Sequence, residues 1–322
     1  MKYRKFGDTG LEVSEIGFGT WGIGGPVEGV PAYGKTDDQE SKLALELAFD
    51  LGINLFDTSP LYGFGHSERL IGQVLGLSRD KVIITTKAGI LRGKQDQDFS
   101  QAHLRKSLEE SLVRLGSDYI DLFLLHNPPL EFLYDDPGVI DLLHAFRNEG
   151  KVRSFGVSVR SPNDGLTAVK EFGFKALEVN FNMLDQRALE CGLLELCQKQ
   201  NVGVIARTPL CFGFLTGAFS PGQDFGAGDH RSTWSSEQLD CWANGSHLFF
   251  NTIGRSPAET NAQTALRYCL SYPGVSTAIP GLLTRKHVEE NQAASDLGAL
   301  GQEEVRRVEE IYQKHSFFIR DK

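Results

Sequence analysis

The sequence predicts an α/β fold: a (β/α)8 TIM barrel with an N-terminal β-hairpin and a long loop after strand 7. Three observations carry that expectation. Eight short runs rich in β-branched and aromatic residues recur along 322 residues, and amphipathic helical stretches lie between them. Only two passages, the first 14 residues and about 208–255, fall outside this rhythm. Alternating strands and helices imply a parallel sheet covered by helices. A doubly wound sheet is the alternative. With no linker, low-complexity tract or further repeat, one domain over residues 1–322 is the simplest account.

The elements follow in order. Tyr3–Phe6 and Leu11–Ser14 flank Gly7-Asp8-Thr9-Gly10, a hairpin signal placed to plug the bottom of a barrel. Strands are expected at Glu15–Phe18, Ile53–Phe56, Val82–Thr86, Ile120–Leu125, Ser154–Ser158, Leu177–Asn180, Val202–Ala206 and Val275–Ile279. Helices are expected near 38–51, 67–76, 100–116, 136–149, 162–172, 189–200, 256–271 and 301–315, with a shorter one from about 284. Leu104, Leu108, Ser111, Leu112 and Leu115 share one helical face, with Ser100 placed to cap its start and Gly116 its end. The connection from about 208 to 255 carries Trp234 and Trp242; long loops at this end of a barrel strand tend to cover sites.

Composition excludes several function classes. A formal net charge of -9 with no basic stripe argues against nucleic-acid binding. No run of about 18 apolar residues occurs, and the basic N-terminus lacks the apolar core of a secretory signal, so a cytoplasmic protein is expected. Five cysteines without a C-x-x-C read as reduced thiols, and no metal site is expected. Nothing in the sequence signals an oligomeric state.

Near the start, Gly17, Gly19 and Gly22 of "IGFGTWGIGG" fit the G-x-G-x-x-G fingerprint of a dinucleotide-binding turn. The context fails: Gly24, Gly25, Pro26 and Pro31 follow, and no helix is expected before about residue 38. The acid at the end of the next strand is Asp57, well beyond the ~20-residue spacing of a ribose-binding acid. These glycines are instead expected to let the first strand turn closely and to present Trp21 to a pocket.

Barrel chemistry gathers at the C-terminal ends of strands. Asp57 ends the second run, Lys87 the third, His126 the fourth, Ser158 the fifth, Asn180 the sixth and Arg207 the seventh, with Tyr62 in the loop after Asp57. An acid, a phenol, an ammonium and an imidazole at one mouth suit proton transfer to a carbonyl. A free phenol, with a pKa of about 10, is too weak an acid. An adjacent ammonium lowers that value, and a carboxylate holds the ammonium in place. The phenol then serves as general acid in reduction and general base in oxidation. The missing hydride source is a nicotinamide.

With these residues, the chain resembles an aldo-keto reductase throughout its length. The resemblance rests on "FDTSPLYGFGHSE" (56–68), "TTKAG" (85–89), "YIDLFLLHNP" (119–128), "VNFNMLDQR" (179–187), "GVIARTPLCFGFLTG" (203–217) and "IPGLLTRKHVEEN" (279–291). It implies an oxidoreductase for an aldehyde, ketone or alcohol, with NADP(H) favoured and NAD(H) possible. The implied tetrad is Asp57, Tyr62, Lys87 and His126, with Tyr62 as proton donor. Ser158 and Asn180 match positions that hold the nicotinamide carboxamide, and Leu215 and Gly217 match a pyrophosphate-contacting segment. Gly281, Thr284, His287, Glu290 and Asn291 match an adenosine-binding segment, and Trp21 matches a substrate-pocket aromatic.

The chain departs from the family pattern at Val159, Asn180, Leu282, Leu283 and His287. Arg207 replaces a usual stacking aromatic; a cofactor phosphate, a substrate anion or a nearby carboxylate are its open partners. Arg285 is a candidate for a 2′-phosphate, with Lys286 beside it. Ser67-Glu68 fits the family motif but also the start of a helix. Loop aromatics Trp21, Phe132, Tyr134, Phe212, Phe214, Phe225 and Trp234, with the tail Phe317-Phe318-Ile319-Arg320, suggest a partly apolar substrate pocket. The alternatives are sugar oxidation by the same groups, a regulatory subunit like the related channel β-subunits, and a lyase or isomerase using Lys87.

Overall fold

The computed structural model describes residues 1–27, 32–93, 96–226, 228–253 and 256–319; Pro31 and Arg320 lie outside them. Strands β1 (Tyr3–Lys5) and β2 (Glu12–Ser14) pair antiparallel as the expected hairpin. Eight parallel strands form a nearly closed barrel. They are β3 (Phe18–Gly19), β4 (Leu55–Asp57), β5 (Ile83–Ala88), β8 (Ile120–His126), β9 (Val152–Ser158), β10 (Ala176–Asn180), β11 (Gly203–Arg207) and β12 (Thr277–Ile279). Parallel bridges Ile16–Ala278 and Gly19–Gly281 bring the last strand to the first.

Glycine makes that closure possible. A Cβ on Gly19 would stand 2.9 Å from the Pro280 carbonyl oxygen. The opening glycines therefore serve strand packing. One turn of 3-10 helix, Gly22–Gly24, follows them earlier than any helix expected from the sequence.

The hairpin closes the N-terminal end of the barrel. Phe6, Leu11 and Val13 share a buried cluster with Leu55, Ile83, Leu122, Leu124 and Ile205 inside it. The Phe6 ring lies against Gly203, where a Cβ would approach it to 2.5 Å. Burying such a ring stabilises by roughly 1.5–3 kcal/mol. With one end plugged by apolar side chains, polar strand ends can gather only at the other.

Most helices fall where expected. Ser100 caps the helix Gln101–Leu115 through the His103 amide, and Gly116 ends it in the left-handed region. Four features differ. The stretch 189–200 is two short helices, Arg187–Glu190 and Leu193–Lys199, because Gly192 between them is left-handed. The helix after 284, Arg285–Leu297, has 13 residues and is not shorter than its neighbours. A small antiparallel pair, β6 (Ile90–Gly93) and β7 (Asp96–Gln97), follows β5. The connection after β11 holds the 17-residue helix Ser236–Thr252, capped by Ser235. Its apolar face, Leu239, Trp242, Ala243 and Phe249, is buried, so this passage is packed structure. No helix among the described residues is long and apolar enough to cross a membrane.

Candidate active site

Register places the predicted residues together. Asp57 pairs with Thr85 of β5 and with Gly19 of β3, while His126 pairs with Ser158 and Asn180 with Arg207. Of these, Gly19, Asp57, His126, Asn180 and Arg207 border one mouth of the barrel. A cavity of about 680 Å³ opens there, with Asp57, Tyr62, His126, Glu178, Asn180 and Arg207 in its wall.

Lys87 is fully buried, and its Nζ donates to both carboxylate oxygens of Asp57 at 2.6 Å. It also donates to the Thr58 carbonyl at 3.1 Å and to Tyr62 Oη at 3.5 Å. Tyr62 reaches it from a tight turn: Gly63, Phe64 and Gly65 all have positive φ before the helix His66–Leu75 begins. The turn rests on Gly24, where a Cβ would stand 2.8 Å from the Tyr62 carbonyl carbon. His126 presents its ring edge-on to Tyr62, centroids 6.4 Å apart, and its Nδ1 lies 3.3 Å from Ser59 Oγ.

A residue the sequence reading passed over completes this cluster. Glu178, in the middle of β10, is buried, with Oε2 3.2 Å from Lys87 Nζ. Its Oε1 accepts from Ser158 Oγ at 3.1 Å and stands 3.7 Å from Arg207 Nη1. The available signal was its spacing. Side chains alternate along a strand, so Glu178 shares a face with Asn180 two positions on. An acid buried on the inner face of a strand needs a buried partner.

Arg207 ties the far side of the cluster. It donates to Asn180 Oδ1 at 2.7 Å, Ser158 Oγ at 2.8 Å, the Val159 carbonyl at 2.9 Å and Asn127 Oδ1 at 3.0 Å. Among its open partners, the nearby carboxylate is therefore met, by Glu178. Asn127 and Thr208, which flank it, hold φ of 52° and 53°. Such backbone is uncommon outside glycine and concentrates at functional sites.

The electrostatics differ from the sequence expectation in one respect. Burial pushes the Tyr62 phenol up to about 12; Asp57 and Glu178 add to this, and the pull of Lys87 and Arg207 does not offset it. One ammonium thus faces two carboxylates, and its phenol-acidifying effect is overridden. Burial opposes the charge on Lys87, but Asp57 and Glu178 together raise its pKa. Burial, then Lys87 and Arg207, hold His126 well below the usual imidazole range. Burial and the Glu178 charge push Asp57 well above the carboxylate range against the pull of Lys87. Burial also raises Glu178, but Lys87 and Arg207 outweigh it and hold Glu178 below that range.

The remaining predicted residues divide. Gly281 borders the cavity, and a Cβ there would meet nothing within 4 Å. Ser158 is buried behind the wall. Leu215 is buried, its amide donating to the Leu210 carbonyl; Gly217 is left-handed and donates to Phe214. Thr284 Oγ1 caps the helix Arg285–Leu297 through the His287 amide, and His287 Nδ1 accepts from the Leu283 amide at 3.4 Å. The Glu290 carbonyl accepts from Gln263, and Asn291 is buried. Arg285 is held by Glu40, which accepts its amide at 3.0 Å and stands 3.4 Å from Nη2.

Ser67 does not cap its helix. Its hydroxyl bonds Thr58, and Glu68 is buried against Thr86 Oγ1 at 2.7 Å and Arg114 Nε at 2.5 Å. This pair knits β4, β5 and two helices together.

Trp21 and Trp234 both border the cavity. With Tyr33, His230 and Phe212 they form an aromatic wall: Trp21 lies 4.4 Å from His230 and 6.5 Å from Tyr62, and Trp234 lies 4.4 Å from Phe212. Gln97, Asn127 and Arg160 make a polar side. The expectation fails for four loop aromatics. Phe132 stacks on Phe99, Tyr134 is exposed and bonds Glu171, and Phe214 and Phe225 are buried around Phe219.

Comparison with known proteins points to one family. The model of the aldo/keto reductase family matches residues 15–313. An L-galactose dehydrogenase of Arabidopsis thaliana is 32% identical over 97% of this chain and 95% of its own. An NADH-specific methylglyoxal reductase of Escherichia coli is 33% identical over 72% of this chain and 74% of its own. The structure of a glycerol dehydrogenase from Gluconobacter oxydans superposes with a TM-score of 0.80 at 28% identity, covering 99% of this chain and 97% of that one.

Proposed function

The chain belongs to the aldo/keto reductase family, and we propose that it transfers a hydride between NADP(H) and a small aldehyde or ketone, or the corresponding alcohol, with Tyr62 as general acid and base. Membership makes it a nicotinamide-dependent oxidoreductase acting on small carbonyl or alcohol substrates. The observation that carries the residue roles is the buried chain Asp57–Lys87–Tyr62 with His126 beside it.

Tyr62, protonated at neutral pH, donates to the carbonyl oxygen during reduction and recovers the proton during oxidation. Lys87 stabilises the phenolate that reduction leaves behind, and Asp57 fixes Lys87 in place. His126 is neutral; with Nδ1 accepting from Ser59, its Nε2–H donates to the same carbonyl oxygen and orients it. When bound, the nicotinamide supplies or accepts the hydride.

The residues present fit that group. Gly281 leaves open space in the cavity that Asn180 and Arg207 line, and Asn261, whose Nδ2 lies against Gly217, has a buried Oδ1 with no hydrogen-bond partner. Ser158, Asn180 and Arg207 would hold the nicotinamide end. Leu215, Gly217, Thr284, His287, Glu290 and Asn291 would follow the rest. Arg285 and Lys286 favour a 2′-phosphate. Glu40 already holds Arg285, so the preference over NAD(H) is modest.

An aromatic wall facing a polar side suits a small polyhydroxylated or oxo compound. The names of the relatives, a sugar dehydrogenase and a methylglyoxal reductase, support that class in both directions. The test is titration with NADPH and NADH by nicotinamide fluorescence, then a panel of aldehydes, ketones and sugars. Failure to bind either cofactor refutes the reading.

A further inference from the structure

The site contains one more buried charge than the proton-transfer chain requires. Asp57, with both oxygens on Nζ, already holds Lys87 in place. Glu178 is nonetheless buried beside them. Its second cation is Arg207, so the four groups Asp57, Glu178, Lys87 and Arg207 cancel in formal charge. Buried charges persist only with partners. Lys87 and Arg207 keep the Glu178 carboxyl ionised. Unlike an ion pair shut inside the core, this carboxylate also borders the cavity.

We propose that Glu178 determines which redox form of the cofactor the site prefers, its carboxylate favouring the oxidised, cationic nicotinamide over the reduced, neutral ring. This rests on the nicotinamide reading given above. The carbonyl that Tyr62 protonates exchanges its hydride with the ring, so the two must be neighbours in the cavity that Glu178 borders. Going from reduced to oxidised adds one positive charge to the ring. A fixed negative charge in the same cavity stabilises the second state more than the first. Ser158, which the resemblance assigns to the carboxamide, donates to Glu178 and so links that end of the ring to this carboxylate. Without Glu178, Lys87 and Arg207 outnumber Asp57, and the same cavity disfavours the cationic ring. Glu178 therefore raises the share of the enzyme that holds the oxidised cofactor.

The experiment measures dissociation constants for NADP+, NADPH, NAD+ and NADH by calorimetry, with no turnover required. In Glu178→Gln the oxidised-to-reduced ratio of dissociation constants rises on the order of tenfold. In Glu178→Asp, which keeps the charge, it stays within about threefold. Arg207→Gln/Glu178→Gln compared with Arg207→Gln shows the same tenfold rise. That pair carries the test if Glu178→Gln alone does not fold, because it leaves no unpaired Arg207. An unchanged ratio, or equal weakening of both redox forms, overturns the role of Glu178. Wild-type protein that binds none of the four overturns the nicotinamide reading instead.

Discussion

Lys87 Nζ lies 2.6 Å from both oxygens of Asp57, a residue 30 positions away in the chain. Adjacent parallel strands, β4 and β5, bring them together, and both side chains are buried. The strength of this pair depends on its isolation from water. Removing the ammonium leaves Asp57 and Glu178 as buried carboxylates without their shared cation. Lys87→Met is therefore expected to lower unfolding free energy by about 3–5 kcal/mol. Adding Asp57→Asn recovers part of that loss. Urea midpoints at neutral pH check both; a loss below about 1 kcal/mol for Lys87→Met contradicts the burial argument.

Tyr62→Phe removes the proton and little else. Cofactor affinity is expected to hold within about threefold while turnover falls at least a hundredfold, the lower end of general acid–base contributions. Binding titrations and steady-state rates on one preparation separate the two. Turnover like that of wild type removes Tyr62 from the mechanism.

The pH profiles follow from the shifts. Tyr62 is pushed up to about 12, so it remains protonated throughout the neutral range. Reduction, which uses the protonated phenol, should show no alkaline loss below about pH 10. Oxidation, which uses the phenolate, should rise about tenfold per pH unit above 7. His126, held well below its usual range, is already neutral and adds no limb between about pH 6 and 8. The measurement is kcat/KM in each direction at saturating cofactor. An alkaline limb for reduction near pH 8 contradicts the raised phenol.

Gly24→Ala probes the support under Tyr62. The added Cβ would stand 2.8 Å from the Tyr62 carbonyl carbon, which is backbone and yields only by moving the turn. Misplacement by about 1 Å costs up to ~100-fold in rate, so kcat should drop at least tenfold with cofactor binding little changed. Equal loss of both, or of neither, argues against this role.

Glu40 and Arg285 bear on cofactor choice. Glu40→Gln frees the Arg285 guanidinium for a phosphate, and NADPH affinity relative to NADH should rise severalfold. Arg285→Ala should lower it. Matched titrations with the two reduced cofactors give the ratio, and no change in either variant removes this pair from cofactor recognition.

The strand–helix rhythm and strand-end residues were legible because a barrel repeats one local pattern and places its chemistry at one topological position. Asp57, Lys87, His126, Ser158, Asn180 and Arg207 each end a run that reads as a strand by composition alone. Glu178 was less legible. It sits inside a run, and its inward direction follows only from alternation along β10. The aromatic wall was partly legible. Trp21 and Trp234 were anticipated, but Tyr33 and His230 meet them from distant segments, while Phe214 and Phe225 pack into the core.

The sequence by itself determined the barrel, the hairpin that plugs one end and the residues that meet at the other. Periodicity, turn chemistry and strand ends are local properties. Only the tertiary structure decided how those groups share charge. Lys87 faces two carboxylates and not one, Arg207 answers Glu178, and Glu40 holds Arg285. Electrostatic interactions depend on distance and burial between residues far apart in the chain, and neither quantity is written in spacing.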